Sequence, residues 1–457
     1  MSSHTDLLGL AVDITTYSKQ IVDRLRESGH GQPSYAVDSP RELWENPKLG
    51  LKEVKSKLTD SANTLLTLIN GPMLFHRNLF GVHYDLAALQ IVLDFNVLES
   101  IPVKGSIDLD TLSAKVGIDK NKLGRLLRLL GTQRYVEEPQ FEVFQHTMLS
   151  EVLLRDELLK AQGSVQLDDM HKASVEASNY LRANPNCDKS EVSPFKHKYG
   201  TSLYEFYDTH PQKAIVFAKA MQGITRFDRP FTLLTQWIQD TGSDTGKMID
   251  VGGGSGHIVL GLAKEFPAWN FVVQDLHDNM FAETLSEATK DLSSRVAFVH
   301  HDFFTTQSLY QGVDAWVLRQ CLHNWSDEDG AKILKQFVPA MEKNPKTALL
   351  VNESIIPNHG DLPFNEERSF RQIDIAMFVT TNAKQRTEGD WRALIASADP
   401  RLRITRILRD TGTMGVIEIH LDTGYTNGNG TEQGHLLHDG GYANGDGMGQ
   451  EHLQLNS

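Results

Sequence analysis

Cysteine is almost absent from this chain of 457 residues, which contains only Cys187 and Cys321. The two residues are far apart in the sequence and form no Cys-x-x-Cys pair. This pattern argues against a disulfide framework and against a zinc site, so we expect two free thiols. A chain of this length is expected to bury its own apolar cores in about two or three domains.

The chain also lacks a long apolar run and an excess of positive charge. No stretch of about 18 apolar residues is present, so no membrane-spanning helix is expected. A secretory signal has a basic segment followed by an apolar stretch, and the first residues lack this pattern. We therefore expect a cytoplasmic location. The net charge of −14 disfavours binding to nucleic acid or to anionic lipid. The expected partners are small molecules or another subunit.

The two ends of the chain have contrasting patterns. Residues 1–84 predict a helical segment, because apolar residues such as Leu58, Leu65 and Ile69 recur at helical spacing. Residues 424–457 are rich in glycine and asparagine, contain no Lys or Arg, and have few apolar residues. Such a segment cannot bury enough surface to become ordered, so this tail is predicted to be disordered.

A helix-turn-helix pattern followed by two short strands lies within residues 85–220. Asp110 and Asp119 are the predicted N-terminal caps of the two helices, and the strands are expected on either side of a turn at Pro139. This order of elements is typical of a winged helix. Some winged helices bind DNA, but the acidic character of the whole chain favours a module that packs against another subunit.

Strands and helices alternate within residues 221–423, which is the pattern of a parallel sheet covered by helices on both faces. We therefore predict an α/β fold. Five buried strands are expected at 248–251, 270–275, 296–300, 313–319 and 347–353, and a closing pair at 402–408 and 416–421.

A glycine-rich turn follows the first of these strands, in the sequence Asp250-Val-Gly-Gly-Gly-Ser-Gly. Glycines at 252, 254 and 256 let the backbone turn tightly and approach a ligand closely, and the next helix begins with unpaired N–H groups. The dinucleotide fingerprint would require glycine at position 257, where this chain has histidine. The turn therefore suits a ligand without a pyrophosphate.

Acidic residues end the next two strands. Asp275 lies where a carboxylate can accept hydrogen bonds from two ribose hydroxyls, and Asp302 lies where one can meet an adenine amino group, with Phe303 against the ring. Ligands of such folds bind at the carboxyl ends of adjacent strands. The glycine turn and the two carboxylates together predict a site for an adenosyl group.

The segments IDVGGGSGHIVLGLAKEFPAWNFVVQDL, HDFF, LRQCLHNWSDEDGAKIL, VNESIIP, RQIDIAMF and RTEGDW resemble, in content and order, the caffeate-type O-methyltransferases of plants and fungi. The resemblance covers about residues 85 to 422 and is strongest to the fungal secondary-metabolite members. It implies a Rossmann-like methyltransferase domain, an amino-terminal winged-helix domain that forms a homodimer, S-adenosyl-L-methionine as cofactor, a small hydroxylated substrate and no metal.

The resemblance also assigns roles to residues by motif position. The cofactor is assigned to Gly252, Gly253, Gly254, Asp275, Leu276, Asp302, Phe303 and Arg319. The general base is assigned to His323, with Glu353 and Glu388 as flanking carboxylates. The substrate wall is assigned to Met170, Phe217, Met221, Phe227, Asn324, Met377 and Phe378. Asn324 is a departure, because the family usually has aspartate after the catalytic histidine.

Two reactions are compatible with these assignments. A phenol has a pKa of about 10, so a base that removes its proton during methyl transfer accelerates the reaction, and an imidazole is suited to that task. Some fungal relatives instead keep the cofactor but catalyse pericyclic or dehydrative ring-forming steps. The presence of His323, Glu353 and Glu388 favours methyl transfer, whereas Asn324 leaves the alternative open.

Overall fold

The computed structural model describes residues 6–424, apart from residues 45, 191, 229–230, 277–290 and 410–413. The side chains of residues 225–228 are also outside the description. The predicted disordered tail therefore lies, from residue 425 onward, outside the described residues.

Helices dominate the amino-terminal half. Helix α1 spans Leu7–Glu27 and helix α2 spans Lys52–Asp94. Helix α2 is kinked at Gly71, whose φ of 60° and ψ of 177° are not helical, directly before Pro72, which has no N–H to donate. Ten shorter helices follow within the described residues: α3 Val97–Ser100, α4 Leu109–Val116, α5 Lys120–Thr132, α6 Met148–Arg155, α7 Glu157–Val165, α8 His171–Ser174, α9 Ala177–Ala183, α10 Pro194–Tyr199, α11 Leu203–Thr209 and α12 Pro211–Asp228. A π-helical turn, Gln166–Met170, joins α7 to α8.

A small antiparallel sheet accompanies α4 and α5. It contains β1 Ser106–Asp108, β2 Val136–Gln140 and β3 Val143–His146 in the order β1-β3-β2. The turn between β2 and β3 follows Gln140, so the prediction of a turn at Pro139 was wrong by one or two residues. Pro139 lies inside β2, where the ladder is irregular between Glu137 and Gln140.

One of the two predicted helix caps, that of α5, is present in the structure, and the other is not. Asp119 caps α5 as predicted, and its carboxylate accepts a hydrogen bond from Lys122 N. The predicted cap of α4 at Asp110 was wrong. Asp108 caps that helix by accepting from Thr111 N at 2.9 Å, because the helix begins at Leu109 and Asp110 is already in its first turn.

Seven strands form the large sheet of the carboxy-terminal half: β4 Gly246–Val251, β5 Trp269–Asp275, β6 Val296–His300, β7 Ala315–Arg319, β8 Ala348–Ser354, β9 Leu402–Arg409 and β10 Met414–Leu421. Their spatial order is β6-β5-β4-β7-β8-β10-β9. The first five are parallel, and β10 pairs antiparallel with both β8 and β9. The predicted α/β fold with a closing carboxy-terminal pair is confirmed.

Helices cover both faces of this sheet: α13 Thr232–Asp240, α14 His257–Glu265, α15 Asp327–Lys335, α16 Val338–Lys343, α17 Phe364–Thr381 and α18 Glu388–Ala398. Two apolar clusters result, one containing Trp316, Phe337 and Trp391 and the other containing Trp269 and Phe271. The central strands are buried on both sides, which explains their nearly continuous runs of Val, Ile and Leu. Among the described residues, no helix combines the length and apolar character needed to cross a bilayer.

The strand order places the site. The chain runs outward from β4 to β5 and β6 and then returns to pair β7 with the other side of β4, so the topology reverses between β4 and β7. A crevice outside the carboxyl ends of the strands is expected at such a reversal. The glycine turn, Asp275, Arg319 and Glu353 all lie at the carboxyl ends of strands along this edge.

Candidate active site

The glycine turn after β4 adopts a conformation that side chains would strain. Gly252, Gly254 and Gly256 have φ values of 70°, 55° and 73°, in the left-handed region that favours glycine. The amides of Gly252 and Gly253 both donate to Gln274 O, at 2.8 and 3.0 Å, and this fixes the turn against β5. A Cβ at position 252 would lie 2.8 Å from the sulfur of Cys321. The turn is therefore pressed closely against the loop that follows β7.

Asp250, the last residue but one of β4, supplies a buried carboxylate beneath this turn. A Cβ at Gly253 would lie 2.6 Å from its Oδ2 atom, and within the described part of the chain its Oδ1 atom has no hydrogen-bond partner. Burial raises the pKa of Asp250 to about 7, while the positive charge of Arg319 opposes that rise. A buried acceptor without a partner, under a turn that has no side chains, fits a ligand that brings N–H donors.

Asp275 closes the neighbouring side of the turn. Its Oδ2 atom accepts a hydrogen bond from Gly254 N at 2.9 Å, so the carboxylate at the end of β5 touches the glycine backbone directly. Leu276 follows it with about half of its surface exposed. The structure thus brings together Asp275 and the three glycines of the predicted cofactor site.

Phe303 lies beside Gly252, the first glycine of the turn. Its Cε1 atom would be 3.4 Å from a Cβ at Gly252, and its ring meets that of Trp325 edge to face at 5.9 Å. Asp302 precedes it, and its Oδ1 atom accepts from Phe304 N at 2.9 Å. The aromatic ring beside the turn is suited to pack against a flat heterocycle, while Asp302 stabilises its own loop.

Arg319 ends β7 below the turn and is buried. Its guanidinium donates a hydrogen bond to the side-chain oxygen of Asn352, and the Asn352 amide in turn donates to Gly415 O at 2.8 Å. The electrostatic influence of Arg319 reaches the turn, because it lowers the pKa of Asp250 and also that of His257, which burial lowers to about 4. Arg319 therefore supplies positive potential beneath the site.

His323 and Glu353 form a buried pair. His323 Nδ1 donates to Glu353 Oε2 at 2.8 Å, and Glu353 is fully buried at the end of β8. The other oxygen of Glu353 accepts from Leu322 N at 2.8 Å and, more weakly, from His323 N at 3.4 Å. Gln320 donates to Oε2 at 3.1 Å. A neutral imidazole held in this way carries its proton on Nδ1 and presents an unprotonated Nε2.

The short 3-10 turn Leu322–Asn324 carries this histidine. Asn324 lies in the same turn, its backbone N–H donates to Cys321 O at 3.1 Å, and its side chain is partly exposed. Asn324 thus adjoins His323 in the chain and lies in a partly exposed position.

Glu388 forms ion pairs with two arginines. It begins helix α18, and its two carboxylate oxygens accept from Arg392 at 2.7 Å and from Arg409 at 2.6 Å. Hydrogen bonds from these two arginines lower the pKa of Glu388. Of the two carboxylates assigned to flank His323, the structure pairs Glu353 with the imidazole and pairs Glu388 with arginines.

The assigned substrate-wall residues are partly brought together. Met170, Phe217 and Phe378 belong to one apolar cluster around Phe206 and Tyr207. The Phe217 ring stacks on that of Tyr207 with 4.2 Å between centroids. The remaining assigned residues lie outside this cluster: Met377 precedes Phe378 on α17, Met221 is exposed on α12, and the side chain of Phe227 is outside the described residues.

Three residues near the site were not identified from the sequence. Arg386 is fully buried against the 322–325 turn, and Gln385 is buried with no partner for its side-chain amide among the described residues. Tyr204 of α11 is influenced by Cys321 and Asp275, and burial raises the pKa of its phenol. All three approach the site from distant parts of the chain, and no local sequence pattern distinguishes them from ordinary helix and loop residues.

Comparison with known proteins gives a consistent result. A family model described as an O-methyltransferase domain matches residues 179–399. O-methyltransferase sol2 of Alternaria solani is 39% identical over 424 residues, which cover 92% of this chain and 96% of that protein. O-methyltransferase phnC of Penicillium herquei is 30% identical over 412 residues, which cover 87% of this chain and 96% of that protein. The similarity includes the helical half as well as the sheet.

Solved structures share the fold at lower identity. OxaC in complex with SAH and oxaline matches with a TM-score of 0.71 and 21% identity, covering 90% of this chain and 100% of that chain. LepI in complex with SAM matches with a TM-score of 0.69 and 19% identity, covering 81% of this chain and 94% of that chain. At these identities the likeness establishes the common fold alone.

Proposed function

This chain belongs to the family of S-adenosylmethionine-dependent O-methyltransferases, and on that premise we propose that it methylates a hydroxyl group of a small aromatic or enolic natural product, with His323 as the general base. The observation that carries the proposal is the buried pair of His323 and Glu353, which lies at the same sheet edge as the glycine turn. A base and a binding site for a methyl donor are the two parts that this chemistry requires.

The residues around the glycine turn fit the cofactor. The backbone of Gly252–Gly254 carries no side chains that would keep a ligand away. Asp275 would accept from ribose hydroxyls, Phe303 would pack against the adenine, and the unpartnered oxygen of Asp250 suits a positively charged amino group. Leu276, Asp302 and Arg319 complete the proposed set. When bound, S-adenosylmethionine supplies an electrophilic methyl group on a positively charged sulfur.

His323 would remove the proton of the acceptor hydroxyl at its Nε2 atom. Glu353 holds the opposite nitrogen, so it fixes the required tautomer and stabilises the positive charge that the imidazole gains. General-base assistance of this kind typically contributes about 10² to 10⁴ in rate. Asn324, next to the base, offers hydrogen bonds without charge, and we propose that it contacts the acceptor.

The substrate would lie between the sheet edge and the apolar cluster of the helical half. Met170, Phe217 and Phe378 give this cluster flat and polarisable surfaces that suit an aromatic or polycyclic acceptor. Oxaline and meleagrin, which are bound by OxaC in solved complexes, are small molecules too, and this agrees with the proposed class. We propose that residues 221–423 form the catalytic domain and residues 85–220 a winged-helix-like domain that borders the substrate.

A homodimer is the second part of the proposal. Beyond its kink, helix α2 exposes apolar residues on most of its circumference: Met73, Leu74, Phe75, Leu79, Phe80, Val82 and Tyr84. A helix that is apolar all round is normally buried, and monomers rarely expose patches of this size. We propose that a second copy of the chain covers this segment.

The experiment that tests the function uses methyl-labelled S-adenosylmethionine and a panel of phenols and enols. We expect label in a methyl ether made by the wild type and a rate at least about 10²-fold lower for His323→Ala. His420→Ala is a matched control, because His420 forms a similar pair with Glu418 at 2.9 Å on β10, away from the glycine turn. Equal rates for His323→Ala and the wild type would refute the role of the base.

The same assay, with polyenes and enones added to the panel, tests the alternative of a pericyclic or ring-forming reaction. A solved structure described as a pericyclic reaction enzyme shares the fold, with a TM-score of 0.67 and 19% identity. If the protein consumes a reactive polyene or enone, forms an unlabelled isomer and leaves the labelled cofactor intact, the alternative replaces methyl transfer. The buried His323–Glu353 pair favours methyl transfer, because an isomerisation that moves no proton needs no base.

A further inference from the structure

One buried arginine holds both ends of the turn that carries His323. Arg386 is fully buried, and its Nη1 and Nη2 atoms donate to Leu322 O and Trp325 O, each at 2.8 Å. Its Nε atom donates to Asp327 at 2.9 Å. The two carbonyls stand immediately before His323 and just beyond Asn324, so a single rigid guanidinium spans the turn.

Arg386 is itself fixed to the strand that carries Glu353. Its backbone carbonyl accepts from Ile356 N at 3.0 Å, and it forms an isolated parallel β-bridge with Ile355, two residues beyond Glu353. Its guanidinium also lies over the ring of Trp391 at 5.2 Å. The imidazole and the carboxylate that orients it are thus connected to one frame by the same residue.

Resting on the proposed function of His323, we infer that Arg386 is a positioning residue for the general base. The planar guanidinium has five donors in a fixed fork, so it can satisfy two carbonyls and a carboxylate at once. This holds the imidazole against Glu353 and keeps Nε2 aimed at the crevice. Arg386 acts through the backbone of the turn and needs no contact with substrate or cofactor.

The surface partner contributes less than the two carbonyls. Asp327 is about half exposed, and ion pairs in such positions contribute little. The carbonyl of Leu322, by contrast, lies in a buried residue, so removing its donor leaves an unsatisfied acceptor. Burying a charged guanidinium costs free energy, and the three hydrogen bonds of Arg386 to residues 322–327 offset that cost.

Arg386→Lys is the main test, since lysine keeps the charge but cannot bridge both carbonyls. We expect kcat to fall about 10- to 100-fold, while the KM for S-adenosylmethionine changes less than about twofold. Hydrogen–deuterium exchange should speed up in peptides that contain residues 322–326. Asp327→Asn should keep kcat within about threefold of the wild type. Arg401→Lys is the control, because Arg401 forms surface ion pairs with Asp399 and Glu342.

The outcomes separate this inference from the proposed function. If the wild type methylates and His323→Ala does not, but Arg386→Lys has wild-type kcat and unchanged exchange, the positioning role is refuted and the function stands. If no panel member is methylated, the exchange arm still decides whether Arg386 holds the turn. Equal losses of kcat, cofactor affinity and thermal stability in Arg386→Lys would show a general folding role and overturn the inference.

A milder variant covers the case in which Arg386→Lys does not fold. Trp391→Phe keeps an aromatic ring beneath the guanidinium but weakens the cation–π contact and removes the indole N–H that donates to Ser354 O. We expect kcat to fall about three- to tenfold with an unchanged cofactor KM. An unchanged kcat in this variant, together with unchanged exchange at residues 322–326, would count against the inference.

Discussion

The His323 turn and the second half of helix α2 differ in which groups they bury and which they expose. In the turn, polar atoms are buried and paired within the chain by Glu353, Gln320 and Arg386. Along helix α2, beyond Gly71, apolar side chains face outward, and Met73 is 85% exposed. One region is satisfied by its own chain, whereas the other is the surface that we propose a second copy of the chain covers. The difference teaches that catalysis and assembly make separate demands on this sequence.

The largest effect is expected when the negative charge of Glu353, which pairs with His323, is removed. Glu353→Gln keeps an acceptor for Leu322 N but removes the negative charge opposite His323 Nδ1. We expect kcat to fall by about 10²-fold or more, measured at saturating cofactor across a range of pH. Glu418→Gln, which alters the partly buried pair with His420 away from the glycine turn, is the control and should retain kcat. A wild-type rate for Glu353→Gln would remove the turn from the mechanism.

The second prediction tests whether helix α2 needs a partner. Met73→Glu combined with Phe80→Glu places two charges on one apolar face, and we expect the mass in light scattering to fall from that of a dimer to that of a monomer. Asn63→Glu, at an exposed position of the same helix before the kink, adds one charge as the control. Because the proposed cofactor residues all belong to one chain, cofactor affinity should change less than about threefold. A wild type that is already monomeric would contradict the comparison.

The free energy of unfolding is expected to depend on pH through Asp250, the buried carboxyl beneath the glycine turn. Burial raises the pKa of Asp250 from 3.8 to about 7. Its contribution to stability is therefore full below about pH 4 and is lost as the pH rises through about 7, at no more than about 1.4 kcal/mol per pH unit.

Asp250→Asn removes this titration. The stability of the variant without cofactor should decline less between pH 4 and 7 than that of the wild type, as measured by denaturant unfolding. Asp244→Asn, at an exposed position, is the control. Parallel stability curves for Asp250→Asn and the wild type would contradict the raised pKa.

The smallest effect is expected at Glu388, which the family pattern assigns to the base. Both of its oxygens are bound by Arg392 and Arg409 in partly exposed ion pairs, so Glu388→Gln should change kcat less than about twofold and cost at most about 1 kcal/mol of stability. A loss of kcat as large as that of Glu353→Gln would restore Glu388 to the mechanism. Kinetics and thermal unfolding of the two variants side by side decide between them.

These cases show what the sequence can predict. The strands and the glycine turn can be predicted from the sequence, because buried strands need runs of β-branched residues and a left-handed turn needs glycine. His323 follows β7 and Glu353 lies near the end of the neighbouring β8, so strand order brings them together. The neighbours of Glu388 and Arg386 do not follow from strand order, because they depend on the path of a loop and on where a helix starts. That information is tertiary, so motif position alone could not show that Glu388 pairs with Arg392 and Arg409.

The attachment of the 322–325 backbone to side chains outside it has an evolutionary consequence. Leu322 N is anchored by Glu353, and the carbonyls at both ends are anchored by Arg386, so the course of the main chain depends little on which side chain occupies position 324. Mutation at that position can alter the polarity beside the imidazole without disturbing folding. If Asn324 contacts the acceptor as proposed, single substitutions at this position would change the acceptor preference while the fold is kept.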